Sequence, residues 1–195
     1  KLKPVYKAIE ITRKKLNKEK SLISFVGAPW TLVVYMIGAK QNKNEIDLKI
    51  INKEKDKLNL MFEKLIKYLC LHIENQVKAG ADVVQIFDSW AGLIPPENLK
   101  SFCYIPNSKI VDFCKKKGIP VICFPRGIKE NYKEFNSLVK PDGINIDYNV
   151  DPKWARENLK KTVVQGGLDP KILLLSEEEI YSNARKYLDA FKGLP

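Results

Sequence analysis

The residues best equipped for chemistry stand just beyond short apolar runs: Asp88 and Ser89, Arg126, Asp147 and Tyr148, and Gln165. They offer carboxylates, hydroxyls, a guanidinium and an amide, groups that bind and orient a polar ligand. No standard catalytic device surrounds them. The sequence has no G-x-x-x-x-G-K-[ST] loop to cradle a phosphate, no G-x-G-x-x-G after a strand, and no histidine–cysteine cluster spaced for a metal. A Ser-His-Asp device would have to use His72, the one histidine, which falls on a helix stripe and reads as a packed residue. Taken singly, each strand-end residue reads equally well as a helix cap or a loop hydrogen-bonder. Their recurrence at one end of successive strands points to a shared cleft.

The elements that would hold these residues alternate. Val83 to Phe87 is rich in β-branched and aromatic residues, preceded by the helix stop Lys78-Ala79-Gly80 and followed by Asp88-Ser89-Trp90-Ala91-Gly92. Four more strands are predicted: Ser21 to Val26, Pro120 to Phe124, Gly143 to Ile146 and Thr162 to Gln165. Helices are predicted over Val5 to Leu16, Trp30 to Ile37, Lys55 to Ala79, Pro96 to about Lys117 and Asn131 to Leu138. A short one follows Asp151-Pro152, and the last follows the capping box that opens at Ser176. Pro29 suits a first helical turn, Asp169-Pro170 repeats the aspartate–proline cap, and residues 38–52, polar and lysine-rich, read as an exposed loop or lid.

Two helices show clear apolar faces. The long one carries Leu58, Met61, Phe62, Leu65, Leu69, His72, Ile73 and Gln76 on one side; the last carries Ile180, Ala184, Tyr187, Leu188 and Phe191. Short apolar strands alternating with helices imply a parallel sheet buried on both faces, in one α/β domain without linker or repeat. A complete doubly wound sheet and part of a (β/α)8 barrel both fit, and periodicity does not choose between them. In either, ligands bind in the loops beyond the carboxyl ends of the strands, so Asp88 and Ser89 mark the first place to look.

Composition narrows the partners. The chain has 195 residues, 45% hydrophobic and 29% charged, which suits a globular domain with a sizeable core. No apolar run approaches a membrane span, and the first residues lack a signal-peptide plan. Cys70, Cys103, Cys114 and Cys123 show no metal or redox spacing and read as reduced thiols of a cytoplasmic protein. A formal charge of +11, mostly lysine, reads as a solvated surface or as a field that attracts an anion. No basic stripe interleaved with aromatics supports nucleic acid, whereas a small polycarboxylate stays open.

Longer stretches sharpen this. Phe25-Val-Gly-Ala-Pro-Trp-Thr31 with Tyr35-Met36, Gln85-Ile-Phe-Asp-Ser-Trp-Ala-Gly92 and Gln165-Gly-Gly-Leu-Asp-Pro170 occur together with Phe124-Pro-Arg-Gly127 and Ile146-Asp-Tyr148. In order and spacing they resemble the uroporphyrinogen decarboxylase family, over essentially the whole chain. The resemblance implies a (β/α)8 barrel. It also implies removal of the four acetate carboxyl groups of uroporphyrinogen III to give coproporphyrinogen III in haem synthesis. The enzymes of that family need no metal or cofactor and are typically cytoplasmic homodimers. By the same resemblance Tyr35 and Ser89 are hydroxyl residues that contact substrate, and Phe87 contributes apolar wall. Arg126 stands where many members carry a basic residue, and is expected to fork a substrate carboxylate. Loss of carbon dioxide from a pyrrole acetate needs an electron sink, which protonation of the pyrrole provides. The protein must then hold a flexible octa-carboxylate and stabilise cationic pyrrole character.

The chain also departs from that pattern. The family's early arginine-rich segment, the following strand with its pyrrole-engaging aspartate, and the closing strand with its histidine have no counterpart here. The resemblance therefore places the chain at the family's strands three to seven. Gly167 stands where an asparagine is common, and Gly38-Ala-Lys40 where an acidic, glycine-rich segment is usual. An unclosed barrel exposes two sheet edges and apolar surface, so the chain alone is expected to be poorly stable and inactive. Two competing readings are a corrinoid-dependent methyltransferase of the same superfamily, with zinc held by cysteine and histidine, and a non-catalytic fragment completed by a partner.

Overall fold

The computed structural model describes residues 1–37 and 54–193; the loop or lid expected over residues 38–52 lies outside the described residues. Helix α1 (Lys3–Lys15) leads to strand β1 (Ile23–Gly27) and helix α2 (Pro29–Met36), whose first turn holds Pro29 as expected. Helix α3 (Lys55–Lys78) runs to the left-handed Gly80, and strand β2 (Val83–Asp88) follows. Then come α4 (Ile105–Lys116), β3 (Val121–Pro125), α5 (Tyr132–Val139), β4 (Gly143–Ile146), α6 (Pro152–Asn158), β5 (Val163–Gly166) and α7 (Glu177–Ala190).

Local chemistry accounts for most boundaries. The Asp151 carboxylate accepts from the N–H groups of Lys153 (2.6 Å) and Trp154 (3.3 Å) at the start of α6. Asp169 caps a short 3-10 turn in the same way, and Ser176 with Glu179 forms the reciprocal box at α7. The predicted helix from Pro96 to Lys117 is broken. A 3-10 turn (Pro96–Asn98) and a π turn (Lys100–Tyr104) precede α4, because Pro106 has no N–H to return to the preceding turn. The Ile105 N–H reaches back five residues to the Lys100 carbonyl instead.

The five strands among the described residues are all parallel and lie side by side in chain order, β1 to β5. A doubly wound sheet reverses its strand order at a switch point, and here there is no reversal. This is the winding of a (β/α)8 barrel, of which the strands form an arc. On the helix side, Val26, Val84, Ile86, Val121, Cys123, Ile144 and Ile146 are buried beneath the helices with Trp30, Phe62, Ile73, Phe102, Ile110 and Phe135.

The inner face corrects the expectation of burial on both sides. Phe25 is 67% exposed, and Ile23 and Val163 are also open. In a closed barrel, side chains from strands across the axis fill this face in layers, and five adjacent strands do not reach round to supply them. Two helices are also little covered. None of the residues of α1 is buried, and Leu188 on α7 points to solvent.

Candidate functional site

The strand register decides which residues share the inner face. Phe25 lies opposite Gln85, and Gln85 opposite Ile122; one step nearer the carboxyl ends, Gly27 lies opposite Phe87 and Phe87 opposite Phe124. Partners in a parallel ladder point to the same side. Phe87 therefore stands on the inner wall, edge-to-face with Phe25 (centroids 5.9 Å apart) and with Phe124 (6.2 Å).

Ser89 is the first residue beyond β2. It is half-buried, and its hydroxyl has no hydrogen bond among the described residues. Arg126 is the first residue beyond β3 and is exposed; its guanidinium enters no ion pair among the described residues. Its backbone is held firmly. Arg126 N–H donates to the Asp88 carbonyl (3.2 Å), and its own carbonyl accepts from Gly92 N–H (2.9 Å), so the loops after β2 and β3 are joined. Tyr35, in the last turn of α2, is 46% exposed and meets the Trp90 ring edge-on at 6.3 Å. Trp90 belongs to the loop that holds Ser89, and its carbonyl accepts from Trp30 Nε1 (3.0 Å). Tyr35, Phe87, Ser89 and Arg126 thus belong to one mouth, at the carboxyl ends of β1 to β3.

Asp88 does not. Consecutive strand residues alternate, so with Phe87 inward Asp88 points into the helix layer, where it is 1% exposed. Its carboxylate accepts from Thr31 Oγ1 (2.8 Å) and Asn107 Nδ2 (3.1 Å). Burial without a cation raises its pKa to about 6, against the pull of those hydrogen bonds. It is a structural tie between β2, α2 and α4. Asp147 is likewise committed to structure, accepting from Gly127 N–H (2.6 Å) and the Tyr132 hydroxyl (2.8 Å). Tyr148 is exposed. Gln165 lies opposite Asn145 on the inner face of β4 and β5, with a buried Oε1 that has no hydrogen-bond partner among the described residues.

His72 sits in the helix layer, as its place on the stripe of α3 predicts. Its Nδ1 is 3.0 Å from the Tyr6 hydroxyl of α1, and burial lowers its pKa. Gly167 has φ +82, and a side chain there would run into the hydroxyl of Tyr187, which donates to the Gly166 carbonyl (2.7 Å). That contact gives a local reason for glycine at this position. Among the described residues no group of three or more histidine, cysteine or acidic side chains is placed to hold a metal ion. Burial pushes the thiols of Cys103 and Cys123 well above their ordinary value. Among the described residues no helix is long and apolar enough to cross a membrane.

Sequence reasoning missed the contact between Gly92 and Gly127. A Cβ on Gly92 would fall 2.9 Å from the Gly127 carbonyl oxygen, so two loops touch backbone to backbone beside Arg126. A glycine three residues past Ser89 and another directly after Arg126 were the only signal.

Known proteins share this arrangement of sequence. The pattern of the uroporphyrinogen decarboxylase family matches residues 1–194. Uroporphyrinogen decarboxylase from Orientia tsutsugamushi (strain Ikeda) is 40% identical over 187 residues, covering 92% of this chain and 54% of the relative. The enzymes of that name from Jannaschia sp. (strain CCS1) and Cereibacter sphaeroides (strain ATCC 17025 / ATH 2.4.3) are 36% and 34% identical, each over 100% of this chain and 58% of the relative. The chain therefore spans little more than half the length of the curated relatives it matches. A match this continuous, on a parallel sheet wound in barrel order, shows that the chain belongs to the uroporphyrinogen decarboxylase family.

Proposed function

We propose that this chain carries part of the substrate cleft of a uroporphyrinogen decarboxylase, which converts uroporphyrinogen III to coproporphyrinogen III without a metal or organic cofactor. One observation carries the reading: a guanidinium with no ion pair and a hydroxyl with no hydrogen bond among the described residues lie on two joined loops, at the carboxyl end of an aromatic inner wall. That combination suits a ligand with an apolar ring body and carboxylates at its rim. Phe87 packs the rings, Arg126 forks a carboxylate, and Ser89 and Tyr35 donate hydroxyl hydrogen bonds without adding fixed charge. When the acetate carboxylate leaves as carbon dioxide, the electrons of the breaking carbon–carbon bond pass into the protonated pyrrole; a proton then completes the methyl group, and the ring releases the proton it had taken to restore the pyrrole. The cleft's contribution is to hold the acetate in line with that electron sink.

The test is Arg126→Ala in the full-length protein, with affinity for uroporphyrinogen III as the readout. A loss of roughly tenfold or more is expected for removal of a charge-assisted pair. Unchanged affinity refutes the role of Arg126, and absence of coproporphyrinogen among the products of the parent protein refutes the reaction. The same reading makes the chain one barrel-type domain and the whole protein a cytoplasmic homodimer, with neither nucleic acid nor membrane as partner. Family membership supports the dimer, and a monomeric mass by light scattering would overturn it.

A further inference from the structure

The loop that carries Arg126 is fastened at three successive hydrogen-bonding groups. Arg126 N–H donates to the Asp88 carbonyl (3.2 Å), the Arg126 carbonyl accepts from Gly92 N–H (2.9 Å), and Gly127 N–H donates to the Asp147 carboxylate (2.6 Å). One oxygen of that carboxylate takes both Gly127 N–H and the hydroxyl of Tyr132 (2.8 Å), whose ring is fully buried at the start of α5. The ends of β2, β3 and β4 are thus locked together through two successive peptides, and the chain turns at Gly127 with φ +83.

Asp147 therefore has an unusual position for a carboxylate. It is tied to the residue next to Arg126, yet forms no ion pair with the guanidinium. A carboxylate aimed at the guanidinium would compete with an anionic ligand. One committed to the backbone and to a buried hydroxyl holds the loop and leaves the cation unneutralised.

We propose that Asp147 is the positioning residue for Arg126. Acting through Gly127 and Tyr132, it fixes the direction in which the guanidinium meets a substrate carboxylate, without itself touching the ligand. A side chain anchored in this way loses less freedom when the ligand binds. The proposal rests on the reading of Arg126 as a carboxylate fork, and its test separates the two.

The experiment is a double-mutant cycle on the full-length protein, with uroporphyrin III as an unreactive octa-carboxylate probe and fluorescence quenching as the readout. Arg126→Ala is expected to weaken binding roughly tenfold to a hundredfold. Asp147→Ala is expected to weaken it roughly threefold to tenfold in the parent, and less than about twofold where Arg126 is already alanine. A purely structural role would give the same loss in both backgrounds, and that result overturns the proposal for Asp147 alone. Parent-like binding by Arg126→Ala overturns the reading beneath it. Tyr132→Phe keeps the buried volume and removes only the hydroxyl. Its smaller loss is expected to vanish in the Arg126→Ala background, which decides the matter if Asp147→Ala does not fold. Equal losses from Tyr132→Phe in both backgrounds overturn the proposal as well.

Discussion

Asp88 should make stability respond to pH in a direction opposite to that usual for a carboxylate, and replacing it by asparagine should remove that response. Asp88 is buried, has no cation beside it among the described residues, and has its pKa raised from the ordinary 3.8 to about 6. Below pH 3.8 the group is neutral in both folded and unfolded chains and imposes no penalty. Between 3.8 and about 6 the folded chain holds the extra proton, so stability falls as pH rises. Above that window the carboxylate is ionised in both states and the full penalty applies. At about 1.4 kcal/mol for each factor of ten in proton affinity, the penalty is about 3 kcal/mol. Asparagine has nearly the same shape. Its carbonyl still accepts from Asn107 Nδ2, and its amide can donate to Thr31 Oγ1 once that hydroxyl turns. Urea unfolding of parent and Asp88→Asn at pH 4, 5, 6 and 7 isolates the effect, because all other titrating groups are shared. The variant should gain on the parent by about 2.4 kcal/mol between pH 4 and pH 7, mostly before pH 6, since about 0.6 kcal/mol of the penalty is already present at pH 4. A difference that stays flat within ~0.5 kcal/mol, or that shrinks as pH rises, refutes the argument from burial.

Two further predictions concern the mouth and the helix layer. Gly92→Ala places a methyl 2.9 Å from the Gly127 carbonyl oxygen, so it should destabilise by about 1–3 kcal/mol and weaken uroporphyrin III binding. Parent-like unfolding and binding would show that the two loops part freely. His72 should titrate below its ordinary 6.5, because burial disfavours the imidazolium and the neutral ring can accept from the Tyr6 hydroxyl. Its contribution to stability is then present above pH 6.5 and declines as pH falls below it, since the unfolded chain takes up the proton first. An NMR midpoint above 6.5 for the His72 ring would contradict this.

The parts of the fold written in local chemistry were legible in the sequence. All the strands, the aspartate–proline caps at Asp151 and Asp169 and the box at Ser176 lie within a residue or two of their predicted places. The break before α4 also had a local cause in Pro106, but the strong apolar pattern around it masked the missing donor. The inward side of Phe87 and the outward side of Asp88 follow from strand alternation alone. The attraction of a carboxylate at a strand end had put Asp88 at the cleft instead. Asp147 could not be read in this way. Its partners Gly127 and Tyr132 meet it only when β3 and β4 lie side by side, and nothing in the sequence near Asp147 announces them. The openness of the inner face is likewise a property of neighbours, not of the strands that form it.

Each strand pairs with the one that follows it, and the spans to be closed are unequal. Joining Ile23 to Val83 closes about three times as much chain as joining Gly143 to Val163. In the unfolded chain that difference amounts to about 1 kcal/mol of extra closure entropy for the first seam. Long-range parallel pairings of this kind are slow, because the entropy is lost before the contacts form. As the polypeptide emerges, β1 must also wait through the whole of α3 before its neighbour exists, whereas β3 and β4 meet theirs after α-helices of 8 and 7 residues. The first seam brings Tyr35 to Trp90 and Thr31 to Asp88. The half of the sheet that carries Tyr35, Phe87 and Ser89 is therefore the half for which assembly asks most of the chain.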